Sequence, residues 1–290
     1  MVANFGERNA TTRIVSLIAG GVLAGLAAVF GIRFAQNPAQ FNTNETTAVA
    51  IIVAAALGLA YLLPPVQRAV ARIIPLRPGS PVDYLTVVLG LQLIAQQLGA
   101  QVAPGKPVTI GDMLAQDIPL VILAFIGVGL FVRRSPREAA KRLGWVAPRG
   151  KRWWLVAVVG IFVFLAVAAG IEWVGNKLSP SSQQQVTNAT TVLFSQFNNP
   201  LGIILLGLLP AVVEETLFRG ALIPRLGVVV TAILFAALHS QYALTFATLE
   251  VFVLGIGLGW LRVRSGSTLP CMVTHAGYNI AVGVIPYLFR

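Results

Sequence analysis

Charge is what this chain has least of. Asp, Glu, Lys and Arg make up 11% of its 290 residues, against about 25% in a soluble domain. Apolar residues reach 56% and the mean hydropathy is +0.79. That imbalance excludes an ordinary cytosolic enzyme and a disordered tail, and leaves a polytopic membrane protein. Cysteine is almost missing. Cys271 stands alone, so no internal disulfide exists, and its apolar surroundings read as those of a small buried hydrophobe. Acids are scarce too, with 10 Asp and Glu against 21 Lys and Arg, for a net charge of +11. No basic stretch is interleaved with base-stacking aromatics, which excludes a nucleic-acid partner. The surplus cations are those that flank spans and meet lipid headgroups.

What is present is a series of apolar runs. Nine candidate spans cover 14–35, 47–66, 83–102, 117–132, 153–175, 200–224, 226–240, 246–262 and 269–289. The first follows Arg8 and Arg13 like a signal peptide, but it is about twice as long as an h-region, so it reads as a retained span. The third is the weakest, interrupted by Gln92, Gln96 and Gln97. The expectation is an all-α transmembrane bundle of about nine spans. Alternating the loops places 17 of the 21 basic residues on the side of the N-terminus. That asymmetry predicts a cytoplasmic N-terminus, with 133–152 cytoplasmic; the membrane is expected to be a bacterial plasma membrane. The same loop divides the chain into residues 1–150, four spans without a recognised motif, and residues 151–290.

Ionisable groups are costly inside a bilayer and usually mark a site. The last 90 or so residues concentrate them: Glu214, Glu215, Glu250, and the chain's two histidines, His239 and His275. In spans one to five the few acids, Asp83, Asp117 and Glu172, fall mostly at or near the ends. Counting about 1.5 Å per residue from the proposed turns puts Glu214, His239, His275 and Asn279 at comparable depth, on three different spans. Glu215 and Arg219 are four residues apart on one helix face and can pair. Glu214, about 100° further round, is then free to face a cavity as a general base. His275 and Asn279, also four apart, could donate two hydrogen bonds to an oxyanion. Glu250 reads as a buried acid hydrogen-bonded near the site, and Gly255, Gly257 and Gly259 as close helix packing.

Three motifs stand in order: Pro210-Ala-Val-Val-Glu214-Glu215-Thr-Leu-Phe-Arg219-Gly220, then Phe235-Ala-Ala-Leu-His239, then His275-Ala-Gly-Tyr-Asn279. Together they resemble the CPBP intramembrane proteases: the CAAX prenyl endopeptidases and their bacteriocin-processing relatives, also called Abi proteins. The resemblance covers about 85–90 residues and leaves 1–150 unmatched. It implies a peptidase with Glu214 as general base, His239 as its water-orienting partner, His275 with Asn279 as the oxyanion hole, and Glu215 with Arg219 as a supporting pair. The substrate would be a membrane-associated peptide or protein, met in the lipid bilayer. The interval of 25 residues from Glu214 to His239 is short for the family.

Two mechanisms stay open at this point. Glu214, His239 and His275 form a His₂Glu set that could bind zinc with a water in the fourth position. No His-Glu-x-x-His helix is present, and the metal-free reading uses each residue once, so no cofactor is required in the favoured version. A non-catalytic relative of the same fold (a bacteriocin immunity protein or scaffold) should have lost a signature residue. A transporter should show paired broken helices in two similar halves.

Overall fold

The computed structural model describes residues 2–7, 9–38, 44–102 and 105–288. Arg8, Phe289 and Arg290, used in the span and charge reading, lie outside the described residues. The chain is all-helical, without a β-strand among the described residues. A short α1 (Val2–Gly6) precedes the long α2 (Ala10–Gln36) and α3 (Glu45–Ala60), which starts on an Asn44 cap. A bend of 103° separates α3 from α4 (Pro64–Val70). α5 (Pro81–Gly99) opens on Ser80 with Pro81 in its first turn, where a missing N–H costs nothing. α6 (Ile110–Gly127) opens on a reciprocal Thr109/Asp112 capping box.

Five helical stretches are long and apolar enough to cross a membrane: Ala10–Gln36, Ile110–Gly127, Trp153–Leu178, Pro200–Leu238 and Phe246–Ser265. Counting the bent pair α3/α4 makes six. Each of the nine apolar runs contains helix, but a count of nine spans is not established. The weak third run, α5, does not qualify on apolarity. α8 (Trp153–Leu178) and α2 present Phe162, Val163, Trp173, Ile18 and Phe30 outward, as lipid-facing helices do. The chain is an integral membrane protein by this character.

Two departures from the sequence reading concern boundaries. Asp117 is not at a span end: the capping box starts α6 at Ile110, so Asp117 is buried inside the helix. The polar segment after α8 is not plain loop but α9 (Pro180–Leu193), with Pro180 in its first turn.

The C-terminal part supplies the remaining frame. α10 (Pro200–Glu214) runs into a π-helical turn, Glu215–Leu222, and then into α11 (Ile223–Leu238). α12 (Phe246–Ser265) and α13 (Leu269–Leu288) follow. α11 is broken at Gly227, whose φ of 76° and ψ of 177° are open to glycine and not to a residue with Cβ. The chain reverses there. Phe218 and Phe235 would stand roughly 25 Å apart on a straight helix, yet their ring centroids are 5.2 Å apart. The expected turn near Pro224–Leu226 is therefore a helical hairpin with its tip at Gly227. The tip is pinned by Arg225, which pairs with Asp83 and reaches the Gly127 carbonyl at the end of α6.

One hydrophobic core joins both sides of residue 150: Ala24, Tyr84, Val88, Ala124, Leu143, Phe218 and Leu234 belong to it. The segment between α6 and α8 contributes directly. Its helix α7 (Pro136–Arg142) is held by a Ser135/Glu138 capping box, whose donors also keep the Glu138 carboxyl below the usual range. Arg142, pushed down to about 10 by burial, donates to the Gly220 carbonyl at 3.1 Å. Trp145 donates to Thr216 at 3.1 Å. A Cβ on Gly220 would come within 2.6 Å of the Leu143 carbonyl, so the π-helical turn and this segment need a glycine to touch. The glycines of α12 are packing positions, as expected: Cβ atoms there would meet Ala232 at 3.2 Å, Phe164 at 2.8 Å and Val228 at 2.6 Å.

Candidate active site

The hairpin brings two of the three motifs together. Glu214 ends α10 and His239 follows α11, so they lie roughly 20 and 18 Å from the Gly227 tip along facing arms. α13 packs against α10 and brings in His275. Glu214, Glu215, Arg219 and His275 are all at most 7% exposed.

Glu215 is the centre of the supporting cluster. Its Oε1 lies 3.0 Å from Arg219 Nη1 and 2.9 Å from His275 Nδ1. The expected Glu215–Arg219 pair is thus present, but the histidine at its other side was not legible from spacing. Arg219 is held further by the Gly255 carbonyl at 3.3 Å and lies 4.2 Å from the Phe235 ring centroid, a cation–π contact. The turn that carries them is π-helical, a geometry often found at functional sites. Glu214 and Glu215 themselves keep α-helical dihedrals, with φ/ψ of −68°/−42° and −65°/−34°.

Glu214 is differently placed. Its Oε2 is buried without a hydrogen-bond partner, and the nearest cationic-capable group is His275 Nε2 at 4.0 Å. That distance is too long for a hydrogen bond. His275 therefore stands between the two glutamates, bonded to one and facing the other.

His239 is oriented by its own helix. Its Nδ1 lies 2.9 Å from the Phe235 carbonyl, which can only accept, so Nδ1 bears the proton and a neutral ring offers Nε2 as acceptor. Phe235 packs edge-on to both histidines, with centroids 5.0 Å from His239 and 5.9 Å from His275. Tyr242 stacks on His239 at 6.1 Å and 12°. Asn279, one turn beyond His275, is partly exposed and makes no side-chain hydrogen bond among the described residues. Glu250 accepts from the Tyr278 hydroxyl at 2.6 Å, as a hydrogen-bonded buried acid should. Cys271 is fully buried.

His275 Nδ1 is bonded to Glu215 and His239 Nδ1 to a carbonyl, which leaves Nε2 of each ring free. Among the described residues no three His, Cys, Asp or Glu side chains converge as metal ligands.

Comparison with known proteins bears on the same segment. The family model for the type II CAAX prenyl endopeptidase Rce1-like proteins matches residues 196–281, which hold all three motifs. The uncharacterised protein YpbD of Bacillus subtilis is 31% identical over 161 residues, covering 54% of this chain and 79% of YpbD. The chain belongs to the Rce1-like family. Within that Rce1-like group an uncharacterised 24.3 kDa protein of Escherichia coli is 29% identical over 135 residues, covering 42% of this chain and 58% of that protein. No solved structure matches. The family is a protease family, and every residue this Rce1-like chain brings together around Glu215 falls inside the matched segment.

Proposed function

We propose that the chain is an intramembrane endopeptidase that hydrolyses a membrane-associated peptide or protein with a water activated by Glu214 and His239. The observation that carries the reading is Glu214 Oε2, a buried carboxylate oxygen without a hydrogen-bond partner beside an imidazole already oriented by Glu215. A buried acceptor left open is costly and calls for a donor from outside the chain.

A water between Glu214 and His239 gives one hydrogen to the carboxylate and the other to His239 Nε2. Glu214 takes its proton as the water oxygen attacks the peptide carbonyl carbon. The resulting oxyanion accepts from His275 Nε2–H, on the ring whose Nδ1 is held by Glu215, and from the Asn279 amide. Arg219 pairs with Glu215 and holds it in place. Collapse of the intermediate breaks the C–N bond, and the proton on Glu214 passes to the departing amine. All of these steps use the chain's own groups.

Glu7, Arg77, Asp83, Arg133 and Arg225, from loops assigned to one membrane side, meet in ion pairs. That supports a shared side for these loops, which the basic-residue asymmetry makes cytoplasmic, with the N-terminus. The test is mass spectrometry of membrane-protein termini in cells expressing wild type or Glu214→Ala: termini present only with wild type are the expected result. Identical termini in both would overturn the reading. Activity of the purified protein should survive a strong chelator. Loss on chelation with rescue by zinc would replace the mechanism while leaving the site.

A further inference from the structure

The turn after His239 is held in an unusual way. The chain leaves α11 through a short 3₁₀ turn, with Tyr242 N donating to the His239 carbonyl at 3.0 Å and Ala243 N to Ser240 at 2.9 Å. It ends at Ala243, whose φ of 50° and ψ of −149° lie in a region that residues with a Cβ avoid. Such a conformation persists only where its surroundings enforce it. Packing does not do so on one flank, where a cavity of about 400 Å³ opens between α5, α11 and α12 beside Ala237, Leu244 and Thr245.

Hydrogen bonds do. The Ala243 carbonyl accepts from Thr248 Oγ1 and from Gln97 Nε2, and Gln97 also lies 3.4 Å from Thr248 Oγ1. Thr248 belongs to the helix that the turn itself leads into. Gln97 comes from α5, 146 residues away in sequence. It is only 5% exposed, and its own helix end is fixed by Asn44 Nδ2 and Thr47 Oγ1 on the Gly99 carbonyl, at 2.8 and 3.1 Å. A glutamine in an apolar run weakens it as a span, so the residue has a cost that needs a reason.

We propose that Gln97 is a positioning residue for His239: by holding the Ala243 carbonyl it keeps the turn in its strained form and the imidazole aimed at the water site. This rests on the reading of His239 as the water-orienting partner, and it gives residues 1–150 a part in the reaction.

The chain's two histidines make the test internal. Diethyl pyrocarbonate modification, read by peptide mass, reports His239 and His275 separately in one sample. In Gln97→Leu the His239 rate should rise about tenfold relative to His275, which Glu215 still holds. Yield of Glu214-dependent termini should fall about tenfold through kcat, with KM unchanged. Ala243→Gly in the Gln97→Leu background should recover much of both, because glycine takes that backbone conformation without help. Should Gln97→Leu fail to accumulate, Thr248→Val, which removes the other bond to the same carbonyl, should move the ratio in the same direction. A wild-type ratio in whichever of these variants accumulates overturns the inference, even with proteolysis intact. A raised ratio in a protein whose wild type cleaves nothing upholds the clamp and removes the protease reading instead.

Discussion

The hairpin has a charged cluster at its tip and another near its open end, and they are built on opposite rules. At the tip both carboxylates are saturated. Asp83 accepts from the Arg77 backbone at 2.9 Å, from Arg77 Nε at 3.1 Å and from Arg225. Glu7 takes Arg77 at 3.1 Å, Arg133 at 3.5 Å and the Ser80 hydroxyl. Near the open end, Glu214 Oε2, Glu215 Oε2 and Arg219 Nε have no hydrogen-bond partner although they are buried. The carboxylates of the first cluster have no oxygen left open, although Arg133 Nε beside them is buried without a partner, and they serve the fold. The second keeps unused hydrogen-bonding capacity where water and a peptide would enter, at a cost in stability that a purely structural cluster would not carry.

The largest effect that separates the two is on turnover. Glu214→Gln keeps the volume and removes the base, so yield of new termini should fall about 10³-fold or more while the protein still inserts. His239→Ala and His275→Ala should match it, because base, water partner and oxyanion donor act as one unit. Asn279→Ala removes one of two oxyanion donors and should cost about 10²-fold, leaving measurable cleavage. Asp83→Asn should act on stability instead. It leaves Arg225 buried against a weaker partner, costing about 3 kcal/mol in a thermal or denaturant unfolding measurement in detergent, with turnover per folded molecule nearly unchanged. If Asp83→Asn silenced the folded protein as Glu214→Gln does, the division between the two ends of the hairpin would collapse. The smallest effect belongs to Glu250→Gln. Glutamine still accepts from Tyr278, so turnover should stay within about twofold.

Much of this was legible in the sequence because the signals are local. The Glu215–Arg219 pair follows from spacing of four, and the apolar runs follow from the cost of polar groups in lipid. The nearness of Glu214 and His275, and of His239 through Phe235, was readable as a coincidence of depth, though the tip lies at Gly227 rather than at Pro224–Leu226. The His275–Glu215 bond joins residues 60 apart, and no periodicity encodes it. The π-helical turn depends on how α10 and α11 pack against their neighbours, and residue spacing does not announce it. The depth of Asp117 was missed for a different reason: Thr109 and Asp112 spell a capping box, which reading apolar runs alone passes over. α9 is too polar to register in such a reading, and Pro180 was its one visible signal. Gln97 counted against its own span, since only the folded chain shows the carbonyl it serves.

The near-equal arms of the hairpin restrict how a chain of this kind can change length. Glu214 and His239 stand almost the same number of residues from Gly227 on either side. One residue inserted in either arm would advance its site residue by about 1.5 Å and swing it about 100° away from its counterpart. Lineages can lengthen the tip freely beyond Arg225, or trade residues in the loops that precede α10 and follow α11. They cannot accept an unmatched insertion within the arms unless the π-helical turn absorbs it, since a turn that already accommodates an extra residue is where a deletion or addition does least harm to register. Length variation among relatives should therefore be concentrated at the tip and in the flanking loops, with any exception in the arms falling between Glu215 and Leu222.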